Sequence, residues 1–344
     1  MKDAPRSKRP ADNPARQQPA PWSPRDLADS LVPRAGRLGA EQRQGLEAEN
    51  RRLRTENARL QRRDQTINFA MDRLDHEMRL AARLQQDFLP KTLPRVGPVG
   101  FEALFRPAGH VSGDLYDVMR LDEEHVGFFI VDAVGHGMPA ALLTMFIKRT
   151  LVAKEIAGNS YRLLQPHQAM QGVNQALLDQ NLSWATFATA IYGVVNVRSL
   201  DLAFCCAGHP PPLLIRDGTL ESLEGAGALL GIFPDAIYTT STAQLRPGDR
   251  LLAYSDGIEI AFAGDQTGSA RRWRQELLAR RSMTAGKLLA DFALRLDREA
   301  PKDGPGDDIT AVLLEVAPAL QSTHGATDAG SAAPPRPSDT PSSP

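Results

Sequence analysis

The stretch His125-Val126-Gly127-Phe128-Phe129-Ile130-Val131-Asp132-Ala133-Val134-Gly135-His136-Gly137-Met138-Pro139-Ala140-Ala141 decides the fold. His125–Ala133 is rich in β-branched and aromatic residues and mostly apolar, which predicts a buried strand. Met138–Ile156 is apolar on more than one face and predicts a well-buried helix. An aspartate at the end of such a strand, with Gly135 and Gly137 following, puts a carboxylate at the rim of a sheet where the backbone can approach closely.

Three further acidic sites share this setting: Gly113-Asp114-Leu115-Tyr116-Asp117, Tyr254-Ser255-Asp256-Gly257 and Gly306-Asp307-Asp308-Ile309-Thr310. Taken singly, an Asp-Gly is more often a turn than a ligand. Taken together, the four can converge. Carboxylates gathered without compensation repel and raise each other's pKa, and a divalent cation removes that conflict. An all-oxygen site suits a hard ion, Mg²⁺ or Mn²⁺. Zinc is disfavoured, because Cys205 and Cys206 are sequential neighbours and no His/Cys ligand spacing appears. The cysteine pair lies in an apolar strand pattern and reads as core.

Around these motifs the pattern continues as a helix at Pro166–Gln180 and strands at Phe187–Val197, Asp201–Cys206, Leu213–Arg216, Leu220–Leu223 and Arg250–Tyr254. Helical stretches follow near 270–281 and 284–299, then a last strand at Ile309–Val316. Adjacent strands with short turns, and helices clustered before and after them, predict an α+β fold with antiparallel pairing.

The chain has 344 residues, and its net charge of −1 gives no global pull toward nucleic acid or membrane. Nothing approaches the length of an uninterrupted transmembrane helix and no signal-peptide core follows Met1, so a cytoplasmic protein without membrane insertion is the default expectation. Residues 1–40 hold 7 prolines and residues 318–344 hold 6 of the 26, so both ends are expected to be disordered. Residues 1–64 carry 15 Lys+Arg against 9 Asp+Glu. No aromatic interleaving supports base stacking there, so this reads as a solvated arm and not a nucleic-acid surface.

Residues 41–90 read as one long helix. Leu46, Leu53, Leu60, Ile67, Leu74, Ala81 and Phe88 recur every seven residues, with Asn50, Asn57, Asp64, Met71, Met78 and Gln85 at the other seam position. A stripe held at 3.5 residues predicts a parallel coiled-coil homodimer through residues 46–88. In the other reading its C-terminal half packs on its own domain. Pro90-Lys91-Thr92-Leu93-Pro94 ends the helix. The expected domains are therefore an arm at 1–40, a coiled coil at 41–90, a catalytic-type domain at 91–317 and a tail at 318–344.

In combination these motifs are specific. Ala81-Ala82-Arg83-Leu84-Gln85-Gln86-Asp87-Phe88-Leu89-Pro90, Val111-Ser112-Gly113-Asp114-Leu115-Tyr116-Asp117, the Asp132–Ala141 segment, Ala207-Gly208-His209-Pro210-Pro211-Pro212, Leu229-Leu230-Gly231, Pro247–Gly257 and Asp307-Asp308-Ile309-Thr310 carry a resemblance. Residues 80–317 resemble the SpoIIE/RsbU-like branch of the PPM (protein phosphatase 2C-like) metal-dependent serine/threonine phosphatases. The resemblance implies a PPM-type β-sandwich flanked by helices in α-β-β-α layers. It also implies two ions, Mn²⁺ or Mg²⁺: Asp132 bridges them, the Ala133 carbonyl completes one, Asp256 and Asp307 hold the other, and Asp114 ligates or orients metal-bound water. Asp308, His136, His209 and Gly257 are secondary candidates, with structural or loop-orienting roles expected for the histidines. The implied reaction is attack of a two-metal activated water on a phosphoserine or phosphothreonine, with Asp114 and Asp132 as the catalytic pair. The implied substrate is a phosphorylated STAS-type anti-sigma-factor antagonist, in a pathway with an upstream activator protein.

One departure stands out. Asp256-Gly257-Ile258-Glu259-Ile260-Ala261 has Ile260 where the family usually has glutamate, and Phe262–Trp273 lacks the usual Phe-Gly landmark. A dimeric pseudophosphatase or binding scaffold is therefore the alternative, and a phosphatase of small phosphomonoesters a third.

Overall fold

The computed structural model describes residues 39–181, 186–262, 269–299 and 306–318. The disorder expected for the arm and tail falls on 1–38 and 319–344, outside the described residues, as does 263–268 of the atypical segment. Helix α1 runs Ala40–Phe88. Its Ala40–Leu74 part belongs to one compact unit and Asp75 onward to a second. In the first part every residue is exposed, including Leu46, Leu53, Leu60, Ile67 and Leu74 of the seven-residue stripe.

The second unit holds two five-stranded antiparallel sheets. One has the order β1 (Val99–Arg106), β12 (Ile309–Val316), β11 (Arg250–Tyr254), β8 (Leu213–Arg216), β9 (Thr219–Ser222). The other has the order β10 (Ser241–Gln244), β7 (Asp201–Ala207), β6 (Ala188–Asn196), β3 (His125–Ala133), β2 (Asp114–Arg120). Between the sheets, Phe101, Val312, Leu314, Leu251 and Ala253 meet Phe128, Ile130, Ile191, Phe204 and Cys206. On the outer face of the second sheet, Phe129, Val131, Tyr192 and Cys205 pack under α2 (Met138–Thr150) and α3 (Pro166–Asp179). On the outer face of the first, Leu252, Tyr254, Ala311 and Leu313 pack with Trp273 and Leu277 of α5 (Ser269–Ala279) and with Leu288 and Phe292 of α6 (Ala285–Glu299). A short α4 (Gly257–Ala261) follows β11. The layers are thus α-β-β-α. Because β3 is covered on both faces, its run reads as continuous apolar sequence instead of alternating. Cys205 and Cys206 sit in β7 with one in each core, and burial pushes their thiols up to about 11 and about 12.

One expectation changes. The helix predicted over Met138–Ile156 stops at Thr150, and Lys154–Ala157 forms β4, paired with β5 (Ser160–Leu163) in a hairpin. The hairpin has its own tertiary anchors. Lys154 lies over the Tyr161 ring at 3.7 Å and donates to the Leu121 carbonyl, while the Tyr161 hydroxyl donates to Asp122. Such contacts override the apolar helical period. Strands β1, β2 and β10 are also additions to the sequence reading. Among the described residues no helix is long and apolar enough to cross a membrane.

Candidate active site

The acidic motifs meet at one rim of the sandwich, supplied by both sheets. Asp114 opens β2 and lies directly across from Asp132 near the end of β3. Asp256 follows β11, and Asp307 and Asp308 precede β12, its neighbour. Ser255 ties these two ends: its N–H donates to the Thr310 carbonyl, and its Oγ accepts from Thr310 N–H, both at 2.9 Å.

The electrostatics follow from this crowding. Burial first, then Asp256, Asp307 and Asp308, push the Asp132 carboxyl up to about 7. Burial first, then Asp132, hold Asp114 well above the usual carboxylate range, with the Ser255 and Thr310 hydroxyls pulling the other way. Asp256, the most open of the group, is also raised, by partial burial and then by Asp307 and Glu259. Among the described residues, no cation is among the groups that set these shifts.

Asp308 stands apart. Its carboxylate is buried, and its two oxygens accept from Ala108 N–H and Gly113 N–H, each at 2.6 Å. It holds the backbone ahead of Asp114 from the opposite sheet. Gly113 is needed in that backbone: a Cβ there would stand 2.9 Å from the Gly135 carbonyl and 3.1 Å from the Ala140 Cβ. Gly257 is constrained harder, since its Cβ would lie 1.9 Å from the Asp308 carbonyl.

The two histidines separate. His136 is exposed on the loop after β3. His209 is buried, its Nδ1 2.9 Å from the Thr189 hydroxyl, and Thr189 is the β6 partner of Asp132. Burial drives its pKa down to about 3, so the ring is neutral at ordinary pH. Ala133 is buried between these elements.

Among the described residues no three His, Cys, Asp or Glu side chains are drawn in closely enough to hold an ion. The donor chemistry nonetheless fits a hard cation. The donors are all oxygen, and Asp114 Oδ2 is buried without a partner. Buried polar atoms are rarely left so. Gln85, Ser112, Ser255 and Thr310 complete the surroundings. Ser112, Ser255 and Thr310 flank the acidic motifs in sequence, while Gln85 was assigned to the heptad seam and is instead turned into its own domain. A cavity of about 600 Å³ beside His125, Asn196 and Gln244 lies elsewhere and shares no residue with this rim.

Two antiparallel sheets between helical layers, with aspartates from both sheets meeting at one rim, define a PPM-type phosphatase fold. The SiaA-PP2C domain of Pseudomonas aeruginosa superposes with a TM-score of 0.61 at 26% identity, covering 72% of this chain and 98% of that one. The RsbU and RsbW domains of Rv1364c from Mycobacterium tuberculosis superpose with a TM-score of 0.55 at 25% identity, covering 65% of this chain and 61% of that one. Residues 122–317 match the family model of stage II sporulation protein E (SpoIIE). The chain belongs to this family, as a SpoIIE/RsbU-like member of the PPM phosphatases. The phosphoserine phosphatase RsbU of Bacillus subtilis is 30% identical over 196 residues, 56% of each chain. Protein IcfG of Synechocystis is 26% identical over 272 residues, 73% of this chain and 43% of that protein. The chain thus spans about half the length of the curated relatives it matches.

Proposed function

We propose that this chain is a metal-dependent protein serine/threonine phosphatase of bacterial partner-switching signalling, working in the cytoplasm on a phosphorylated STAS-type anti-sigma-factor antagonist. The observation that carries the reading is the rim itself: Asp114, Asp132, Asp256 and Asp307 crowd together, and among the described residues no cation is among the groups that shift them. Asp114, Asp132, Asp256, Asp307 and the Ala133 carbonyl would hold two Mn²⁺ or Mg²⁺ ions. Bound there, the ions would supply a water acidified toward neutral pH and positive charge for the phosphoryl oxygens.

The chain's own residues do the rest. Asp308 keeps both oxygens on backbone amides and so orients the Asp114 turn instead of ligating. His209, neutral and buried, supports the strand that carries Thr189 and donates no proton to a leaving group. Gly257 lets the Asp256 turn pass against the Asp308 carbonyl. The exposed stripe from Leu46 to Leu74 supports a coiled-coil homodimer within residues 46–88, which an upstream activator could address. The names of RsbU and RsbP, both phosphoserine phosphatases, support the substrate class.

The test is hydrolysis of p-nitrophenyl phosphate with Mn²⁺, Mg²⁺ or EDTA by wild type and Asp132→Asn, followed by a phosphorylated STAS-type protein. Turnover that needs metal and disappears in Asp132→Asn is expected. A second reading, a binding scaffold, is favoured by exposed Ile260 at the position where glutamate is usual. It predicts that Asp132→Asn still binds the partner and that no metal restores turnover.

A further inference from the structure

Gln85 is the buried residue of a helix that is otherwise exposed or half-exposed along its described length. Its carboxamide closes on both backbone groups of Ser112, 27 residues away. Nε2 donates to the Ser112 carbonyl at 2.7 Å, and Oε1 accepts from Ser112 N–H at 2.9 Å. The next two amides are also held. Gly113 N–H donates to Asp308 Oδ2, and Asp114 N–H donates to Ser112 Oγ at 3.0 Å. The Gly113 carbonyl accepts from Ala133 N–H, one residue past Asp132.

Every backbone N–H from Ser112 to Asp114 is therefore hydrogen-bonded, and the partner of the first is a side chain from the last turn of α1. A buried primary amide is costly unless both its ends are bonded. Here both are, and to one residue, so the geometry of the turn and of the helix end are mutually fixed. A second anchor lies one turn on: Lys148 donates to the Phe88 carbonyl at 2.5 Å and pairs with Asp117 of β2 at 2.9 Å. Neither Gln85 nor Asp114 lies within the residues matched by the family model.

We propose that Gln85 is a positioning residue of the carboxylate rim: it grips Ser112 from the helix while Asp308, just ahead of β12, grips Gly113, and together they set where Asp114 stands. Its consequence for turnover rests on the phosphatase reading; the grip itself does not. Gln85→Leu removes both hydrogen bonds. Gln85→Glu keeps the size and the acceptor but faces the Ser112 carbonyl with a second oxygen. Gln86→Leu, at an exposed neighbour, is the control.

The full-length chain and these variants are compared by amide hydrogen exchange in EDTA and by calorimetric titration with Mn²⁺. The expected result is exchange at Ser112–Asp114 about tenfold faster in both Gln85 variants, the equivalent of one net hydrogen bond. Mn²⁺ affinity should weaken by a similar factor, with Gln86→Leu unchanged. Unaltered exchange at Ser112–Asp114 in folded Gln85→Glu would overturn the proposal. So would general loosening with Mn²⁺ affinity intact, the signature of mere packing. If wild type neither bound Mn²⁺ nor hydrolysed phosphomonoesters, the phosphatase reading would fail, and the exchange data would still decide the grip.

Discussion

The two ends of β3 carry the same side chain in opposite circumstances. Just before the strand, burial alone would raise Asp122. Hydrogen bonds from Glu124 N–H, the His125 ring, the Tyr161 hydroxyl and His125 N–H outweigh it and bring the carboxyl down to about 2. At the other end Asp132 has other carboxylates for neighbours and is pushed up to about 7. A carboxylate with its lone pairs filled by donors is a fastening. One crowded by its own kind is destabilised until something positive arrives, and that asymmetry distinguishes a corner of the fold from a candidate site.

The largest effect that could break this contrast is on catalysis. Asp132→Asn should reduce metal-dependent turnover by about 10²–10³-fold or more, while Asp122→Asn should leave turnover per folded molecule near wild type. Steady-state kinetics with Mn²⁺ on both variants decides it; equal losses would mean that the rim is not the site.

Metal should stabilise one end only. At about a hundred times its dissociation constant, Mn²⁺ should add about 2.7 kcal/mol to wild type. It should add the same to Asp122→Asn and much less to Asp132→Asn. Thermal melts with Mn²⁺ and with EDTA measure this.

Next comes backbone fit. Gly257→Ala puts a Cβ against the Asp308 carbonyl and should cost about 1–3 kcal/mol, read by urea denaturation.

The pH dependences of the two ends should have opposite signs in the metal-free chain. Asp122, depressed when folded, contributes stability that is present above its unfolded pKa near 4 and is lost as pH falls toward about 2. Screening by nearby solvent limits it to about 1 kcal/mol. Asp132, raised when folded, keeps its proton while the unfolded chain loses its own. It therefore lowers stability as pH rises from about 4 to about 7. Asp132→Asn should flatten that upper window and Asp122→Asn the lower one, in denaturation curves taken across pH in EDTA.

Much of this was legible in the residues, for local reasons. A strand covered on both faces must be apolar throughout, so His125–Ala133 declared itself. The same holds for Ile309–Val316, and an aspartate at the end of each run had to fall at a rim. Helix α1 was legible from its stripe, and Pro90 and Pro94 from their geometry. Strands β1 and β2 were not: β1 pairs with β12, which distant sequence supplies, and β2, although only a short turn separates it from β3, carries Asp114, Asp117 and Arg120 and so lacks a continuous apolar run. The β4–β5 hairpin was hidden by an apolar run that reads equally well as helix, and Lys154, Tyr161 and Asp122 settle it only once they are adjacent in space.

The site divides in the same way. That Asp114, Asp132, Asp256 and Asp307 form a candidate set was legible from type and setting, because carboxylates beside glycine at strand ends are a local signature. The division of labour within the acidic pair at 307–308 was not. Asp308 spends both oxygens on amides about 200 residues earlier in the chain, a fact of tertiary contact. Gln85 shows the limit most clearly. A seven-residue period assigns it to a seam, because periodicity records only which face a residue occupies. Which surface that face meets is decided by packing, and here it meets the backbone of Ser112.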